Sequence, residues 1–430
     1  MAAARVAVVG AGLAGLSAAL DLKDAGIQVD LFERSRLYGG RATSFVVDGN
    51  EVDNGQHVFL ACCDAFIGFV RRVGMAQTLH IQERFDVVAF RHGVRARLRA
   101  APLPTPWHLA ASFLGYAHLG VRGRIAVARA LLNLGSASAG ETFAAWLERE
   151  RQPADAVRAF WEPFVVPALN APLERVSAAD AAFVLTTAFL RSAGAARFGW
   201  CTVPLAHIAA AAAERLDAVR LQCAVTAIDA RAGSVTLSLL DGARESYDAV
   251  VLAVPPPQLA RMLGDASRFG LADLNAYEPF PIVDIHIWYS GGEADFTFAA
   301  LLESPIQWVF RKGDGYLCCS ASAAGDMLTA STDDVIRRAW DELRSAIPSL
   351  AAARLHSGAV TRNPSATYLP RAGVVRPGAA TTNPLVAIAG AWTATGWPDT
   401  MESAVRSGRS AASATVEGLT SAAGEARLPA

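Results

Sequence analysis

The chain has 430 residues, enough for two or three domains and a sizeable core. Its 39 Lys and Arg stand against 40 Asp and Glu, a formal charge of −1, which argues against a nucleic-acid binder that works by neutralising phosphates. Charged residues are only 18% and hydrophobic ones 52%, which argues against long disorder, and the six cysteines form neither a zinc-ligand pattern nor a secreted disulfide framework.

Residues 1–20 could pass for an export signal, but Gly10, Gly12 and Gly15 interrupt the apolar run and the helix continues through Asp21, Lys23 and Asp24. We read the run as part of the fold and the chain as cytoplasmic. Residues 5–10 form a short valine-rich strand, 14–25 an amphipathic helix ending at Gly26, and 28–33 the next strand, together one βαβ unit. Residues 86–90 and 94–99 read as a hairpin turning at His92 and Gly93. Arg95, Arg97 and Arg99 share one face of it, either as a solvated edge, the reading adopted, or as a site for anionic headgroups.

Residues 107–121 can form a helix of 15 residues, short of the roughly 20 that span a bilayer. We read this segment as lining a core or cavity, with an interfacial segment as the alternative, since Trp107, Phe113 and Tyr116 suit a bilayer boundary. Residues 123–216 are mostly helical. Strands follow at 219–228, 234–240 and 249–253, then at 282–289 and 386–390. Residues 401–416 form a last helix, with about ten loose residues at the end.

Gly10-Ala11-Gly12-Leu13-Ala14-Gly15 is a GxGxxG loop between a strand and a helix. Its glycines permit a tight turn, a close approach to a pyrophosphate and helix–strand packing, while the helix N-terminus offers unpaired N–H groups. Glu33 ends the next strand 18 residues after Gly15, placed to accept hydrogen bonds from an unphosphorylated ribose diol, as in NAD or FAD.

The residues after Glu33 decide between those two. Arg34 leads to Gly39-Gly40-Arg41, and near the other end Gly390, Ala391 and Trp392 precede Trp397 and Met401. These two stretches resemble the signatures of the FAD-dependent amine oxidase and phytoene desaturase superfamily. Within it, the run 52–58, with Asp53, Asn54, Gly55, Gln56 and His57, resembles the bacterial hydroxysqualene dehydroxylases. The resemblance implies an α/β fold: a Rossmann-like FAD-binding domain of the two-dinucleotide-binding-domain flavoproteins, with an inserted α+β substrate domain. The expected FAD-binding segments are 1–75, 205–265 and 375–420, the substrate-binding ones 76–204 and 266–374, with 421–430 a flexible tail.

The resemblance also implies a set of FAD contacts. These are Gly10, Gly12, Leu13, Ala14, Gly15, Glu33, Arg34, Gly39, Gly40, Arg41, Asn54, Gly55, Gln56, His57, Gly390, Ala391, Trp397 and Met401, with Val225 meeting the adenine end through its backbone. One departure is notable: the superfamily usually carries Asp where this chain has Ala391.

The implied reaction is reduction of hydroxysqualene, an allylic C30 alcohol, to squalene, with a carotenoid desaturase or amine oxidase as the alternative on the same scaffold. It needs a proton donor for the departing hydroxyl, a dry aromatic cavity for the cation, an external electron donor for the flavin and contact with a poorly soluble substrate, hence peripheral contact with a membrane. His57 and Asp53 are the candidates for the acid, each with a structural alternative. Asp284 with His286 come after them, this pair being read as exposed or satisfied residues, and Glu162, before Pro163, is a third candidate. Trp161, Phe164, Trp288, Trp308 and Phe310 are candidates for the cavity wall or for plain core.

Overall fold

Short runs dominated by Val, Ile, Leu and Ala suit strands covered on both faces. Five such runs form one parallel sheet in the computed structural model, which describes residues 4–47, 49–231, 233–371 and 374–425. In spatial order they are Ala218–Arg220, Gln28–Phe32, Arg5–Val9, Ala249–Leu252 and Val386–Ile388. All four pairings are parallel, so the segments that leave the carboxyl ends, at Gly10, Glu33, Leu221, Ala253 and Ala389, gather along one rim. That rim is where open α/β sheets bind ligands.

The helices Leu13–Asp24 and Met401–Glu425 cross closely, because Gly408 leaves room for the Ala14 carbonyl. An antiparallel sheet of Val225–Arg231, Ser234–Leu239 and Arg244–Tyr247 packs Val235, Leu237 and Tyr247 into the same core. The single strand expected at 219–228 is in fact split between these two sheets. The chain turns at Gln222, whose φ is +55°, and the amides of Gln222 and Cys223 bond back to the carbonyls of Ser35 and Glu33. The last helix also runs on past Val416 to Glu425, so residues 421–425 are helical; residues 426–430 of the expected tail lie outside the described residues.

A second, seven-stranded sheet runs in the order Arg354–Pro370, Tyr277–Ser290, Tyr316–Ser322, Trp308–Gly313, Phe298–Leu301, Asp86–Arg91, Val94–Arg99. Its alternation divides two cores. Phe298, Ala300, Trp308 and Phe310 face the helices of residues 110–190, whereas Val283, Ile285, Ile287 and Val309 face the helix Thr332–Ala346. Two turns of those helices are π-helical, at Val157–Trp161 and Thr186–Leu190, and they bring Phe160 and Phe189 to a ring separation of 5.7 Å. The expected hairpin is present, and its arginines pair with acids: Arg95 with Asp295, and Arg97 and Arg99 with Asp86. It is a solvated, charge-balanced edge.

Candidate active site

The GxGxxG loop sits at the centre of the parallel sheet's rim. A methyl group on Gly15 would stand 1.8 Å from the Gly10 carbonyl oxygen, so only glycine lets this helix start so close to its strand. Glu33 is buried at the neighbouring strand end, where its two carboxylate oxygens accept from Ala11 N and Ser35 N, each at 2.8 Å. A carboxylate has about four acceptor positions, so capacity for a diol is left. The second glycine pair folds onto the first loop. Gly39 N donates to the Ala11 carbonyl at 2.8 Å, and a methyl on Gly40 would stand 3.1 Å from Gly12 Cα. Two loops about 25 residues apart thus form one narrow backbone cradle.

The carboxyl-terminal stretch closes the cleft from the other side. Arg41 is half-buried and makes a two-pronged bond to Asp399, at 2.9 and 2.8 Å, tying the second glycine pair to the segment before the last helix. Burial opposes the Arg41 charge, but Asp399 more than compensates, and its pKa lies above the ordinary arginine value. Ala391 is buried and carries no charge into the cleft; its carbonyl accepts from Ser403 Oγ at 2.8 Å. Glu402, the carboxylate nearest in sequence to the helix start, is engaged by another element: it caps the helix Asp64–Arg72 through Ala65 N and Phe66 N.

Beyond these loops the cleft widens into a cavity of about 730 Å³ in all, within the range of small-molecule sites. Its far wall is aromatic: Phe164, Phe189, Phe198, Trp308 and Phe310. Phe164 meets Phe189 edge to face at 4.9 Å, and Trp308 stacks on Phe310 at 6.3 Å. Trp308 Nε1 donates to the Pro163 carbonyl at 3.1 Å, which leaves its ring face apolar toward the cavity.

The run 53–57 joins the loops to this wall. Asp53 does not reach the cavity. Its Oδ1 accepts from Ser44 Oγ at 2.6 Å and from Leu205 N at 2.9 Å, and so caps the helix Leu205–Ala213, whose own Pro204 offers no cap. Asp53→Ala is therefore expected to lower stability by about 1–3 kcal/mol in urea unfolding while leaving FAD content unchanged; loss of flavin without loss of stability would contradict that role.

His57 lines the cavity, and its Nε2 is sealed from solvent without a hydrogen-bond partner. Burial lowers its pKa, so the ring is neutral at neutral pH. Gly55, at φ +156°, leaves a gap: a methyl there would stand 3.5 Å from His57 Nε2 and 3.4 Å from Asp284 Oδ2. Of the two readings of Asp284, exposed or satisfied, the second holds: it is buried, and its Oδ1 accepts from Gln56 N at 3.1 Å. Burial pushes its pKa up to about 6. His286 is likewise buried, with Nδ1 2.8 Å from Tyr316 Oη and its pKa lowered by burial to about 4. Lys312 completes the cluster by donating from Nζ to Gln56 Oε1 at 3.1 Å.

Every expected FAD contact lines this cleft except Gly15, whose place is taken up by packing; Leu13, Ala14, Arg34, Asn54, Val225, Gly390, Trp397 and Met401 are all on it. Asp53, Asp284 and His286 do not line the cavity, and three further candidates lie elsewhere. Trp161 is core, with Nε1 donating to Gln152. Trp288 stacks on Tyr316 at 4.9 Å, away from the cavity, and Glu162 is also outside it. Sequence reading missed Phe183, Phe189, Phe198 and Lys312. The aromatic spacing Phe160, Phe164, Phe183, Phe189 within an alanine-rich helical region was the available signal.

Comparison with known proteins agrees with this geometry. Residues 13–416 match the family model described as flavin containing amine oxidoreductase. Hydroxysqualene dehydroxylases of Zymomonas mobilis and Rhodopseudomonas palustris are 24% and 28% identical to the chain, covering 94% and 95% of it and 97% of each relative. A probable zeta-carotene desaturase of Synechococcus elongatus is 24% identical, covering 96% of the chain and 98% of that protein. Among solved structures, cyclohexylamine oxidase of Brevibacterium oxydans superposes with a TM-score of 0.72 at 19% identity, covering 97% of this chain and all of that one, which speaks for the fold alone.

Proposed function

The chain belongs to the flavin containing amine oxidoreductase family, with FAD as its cofactor, and from that premise we propose that it reduces hydroxysqualene to squalene. The residues fit the cofactor. Gly10, Gly12, Leu13 and Ala14, with Gly39 and Gly40 beside them, would hold the pyrophosphate on backbone N–H groups. Glu33 would take the ribose diol, and Val225 would lie at the adenine end. Arg41, Gly390, Ala391, Trp397 and Met401 would enclose the ribityl and flavin side, and the first N–H groups of the last helix would stand in for the missing aspartate. Bound and reduced, FAD supplies a hydride.

The observation that carries this reading is His57, with its unpartnered Nε2, beside Asp284 at the foot of an aromatic cavity. Loss of a hydroxyl needs a proton, and removal of hydrogen from a polyene does not. His57 delivers a proton to the departing oxygen from its cavity side and regains one at Nε2 from Asp284. The C–O pair leaves with oxygen as water, and the faces of Phe164, Trp308 and Phe310 steady the allylic cation while excluding solvent. The full-length likeness to a desaturase supports an oxidative second reading.

Anaerobic holoenzyme, reduced with dithionite and mixed with hydroxysqualene, is expected to form one squalene per flavin. No squalene, together with desaturation of zeta-carotene by the oxidised enzyme, would assign the second reading. Asp284 must be protonated to act, so the single-turnover rate is expected to be flat below pH about 6 and to fall about tenfold per unit above it. Asp284→Asn should remove that falling limb.

A further inference from the structure

Amphipathic helices bury one stripe and wet the other. The helix Val121–Leu132 breaks that rule. It buries Gly123, Val127 and Ala130. Its opposite stripe, Val121, Ile125, Ala128 and Leu132, is also apolar yet exposed, and at 100° per residue spans only about 60°. Ile125 is 64% exposed and Leu132 79%. The preceding turn and helix, Trp107–Leu114, add Trp107 at 64% and Leu114 at 67%, with Leu103 just before. Six of the ten large exposed hydrophobics among the described residues therefore fall within residues 103–132. Residues 107–121 thus line the core or cavity only in part: His108, Tyr116, His118 and Leu119 are buried, but Trp107 and Leu114 face outward.

The charge carried by this segment has one sign, although the Glu150 carboxylate meets Asn133 at the end of the helix. Residues 87–140 hold seven arginines and no Asp or Glu. Four belong to the hairpin and pair with acids elsewhere. The other three, Arg122, Arg124 and Arg129, flank the exposed stripe on the helix and form no ion pair among the described residues; Arg124 and Arg129 donate only to backbone carbonyls, of Tyr116 and Glu150. Asp155 approaches the helix from its buried side, at Gly123.

An apolar stripe between cations is the pattern of a helix lying in a bilayer interface. We propose that residues 103–132 form a docking surface for a membrane containing anionic lipid. Beneath it a row of aromatic rings leads inward: Phe113 meets Phe160 at 5.6 Å, and Phe160 meets Phe164, on the cavity wall, at 5.6 Å. A lipid-borne substrate would pass along this row, which deepens the functional reading above, although the docking itself is tested without turnover.

The test is co-sedimentation of the flavin-loaded protein with vesicles of phosphatidylcholine alone and of phosphatidylcholine with phosphatidylglycerol. The protein should pellet with the anionic vesicles, and salt should weaken the binding. I125E/L132E should partition at least about tenfold less, with flavin absorbance and light-scattering mass unchanged; W107S/L114S serves the same purpose if the first variant fails to fold. Protein that stays in the supernatant with both vesicles overturns the proposal, as do variants that pellet like the parent. A parent that scatters as a dimer, becomes monomeric in the variants and ignores vesicles would assign the face to a second copy of the chain.

Discussion

Two glycine substitutions in one loop are expected to behave differently. Gly12→Ala should purify folded but with FAD affinity lower by at least about tenfold, whereas Gly15→Val should yield neither flavin nor a stable fold. The contrast follows from what each added carbon meets. At Gly12 the nearest atoms are 3.9 Å away, and the backbone there is ordinary extended chain capping the helix, so the fold loses nothing. What the methyl occupies is the concave face between the two glycine loops, where a pyrophosphate must approach the backbone to reach the N–H groups of Leu13 and Ala14. At Gly15 the added carbon stands 1.8 Å from the Gly10 carbonyl and 3.2 Å from Ala253 Cβ. Helix and strand would have to separate in the middle of a core where Val8, Leu16 and Val251 are fully buried. Overpacking alone costs about 1–3 kcal/mol, and the displaced helix would no longer point its dipole at the phosphates. The measurements are the ratio of flavin to protein absorbance after purification, urea unfolding of the apoprotein, and FAD titration. Equal FAD affinity in Gly12→Ala and the parent would remove the loop from the binding site.

The cofactor end was legible in the amino-acid sequence because its determinants are local. Gly10 to Gly15, Glu33 and Gly39-Gly40 lie within one stretch of about thirty residues, and strand–turn–helix order fixes their relative positions before any tertiary contact forms. The chemistry end was less legible because it is assembled by register. Asp284 reaches Gln56 only because Tyr277–Ser290 pairs with Tyr316–Ser322 and Arg354–Pro370 at one particular offset. Alternation correctly placed Asp284, His286 and Trp288 on one face and Ile285 and Ile287 on the other, but it could not say that the polar face is covered.

Two other misreadings have related causes. Val219 and Val225 look like one strand by composition, yet belong to different sheets because the backbone bonds of Gln222 and Cys223 to the strand end at Glu33 turn the chain between them. The aromatic wall depends on two π turns that shift Phe160 and Phe189 off the ordinary helical phase, which a 3.6-residue period does not anticipate.

Replacing His57 by alanine is expected to lower the single-turnover rate of squalene formation by about 10²–10⁴-fold with FAD content unchanged, a rise in barrier of about 3–5 kcal/mol. His57 lines the cofactor cleft, but in the proposed arrangement the pyrophosphate, diol and ribityl chain would be held by other residues, so its loss should not release FAD. What it removes is the only imidazole on the cavity wall among the described residues, and with it the proposed path from buried Asp284 to that cavity. Asp284 alone should not substitute for it, since it does not line the cavity and its Oδ1 is engaged by Gln56 N. His57→Gln tests the alternative that the ring only fills space: glutamine restores bulk and hydrogen bonding but cannot relay a proton, so its rate should stay near that of alanine. A rate in His57→Gln close to the parent's would reduce His57 to a positioning residue. A His57→Ala protein that purifies without flavin would move it into the cofactor site instead. With Asp284 as the proposed proton reserve, its substitution should matter less in His57→Ala than in the parent, and the two losses should combine to less than their product. Fully multiplicative losses would mean that the two groups act independently, and the path from Asp284 through His57 to the leaving oxygen would have to be abandoned.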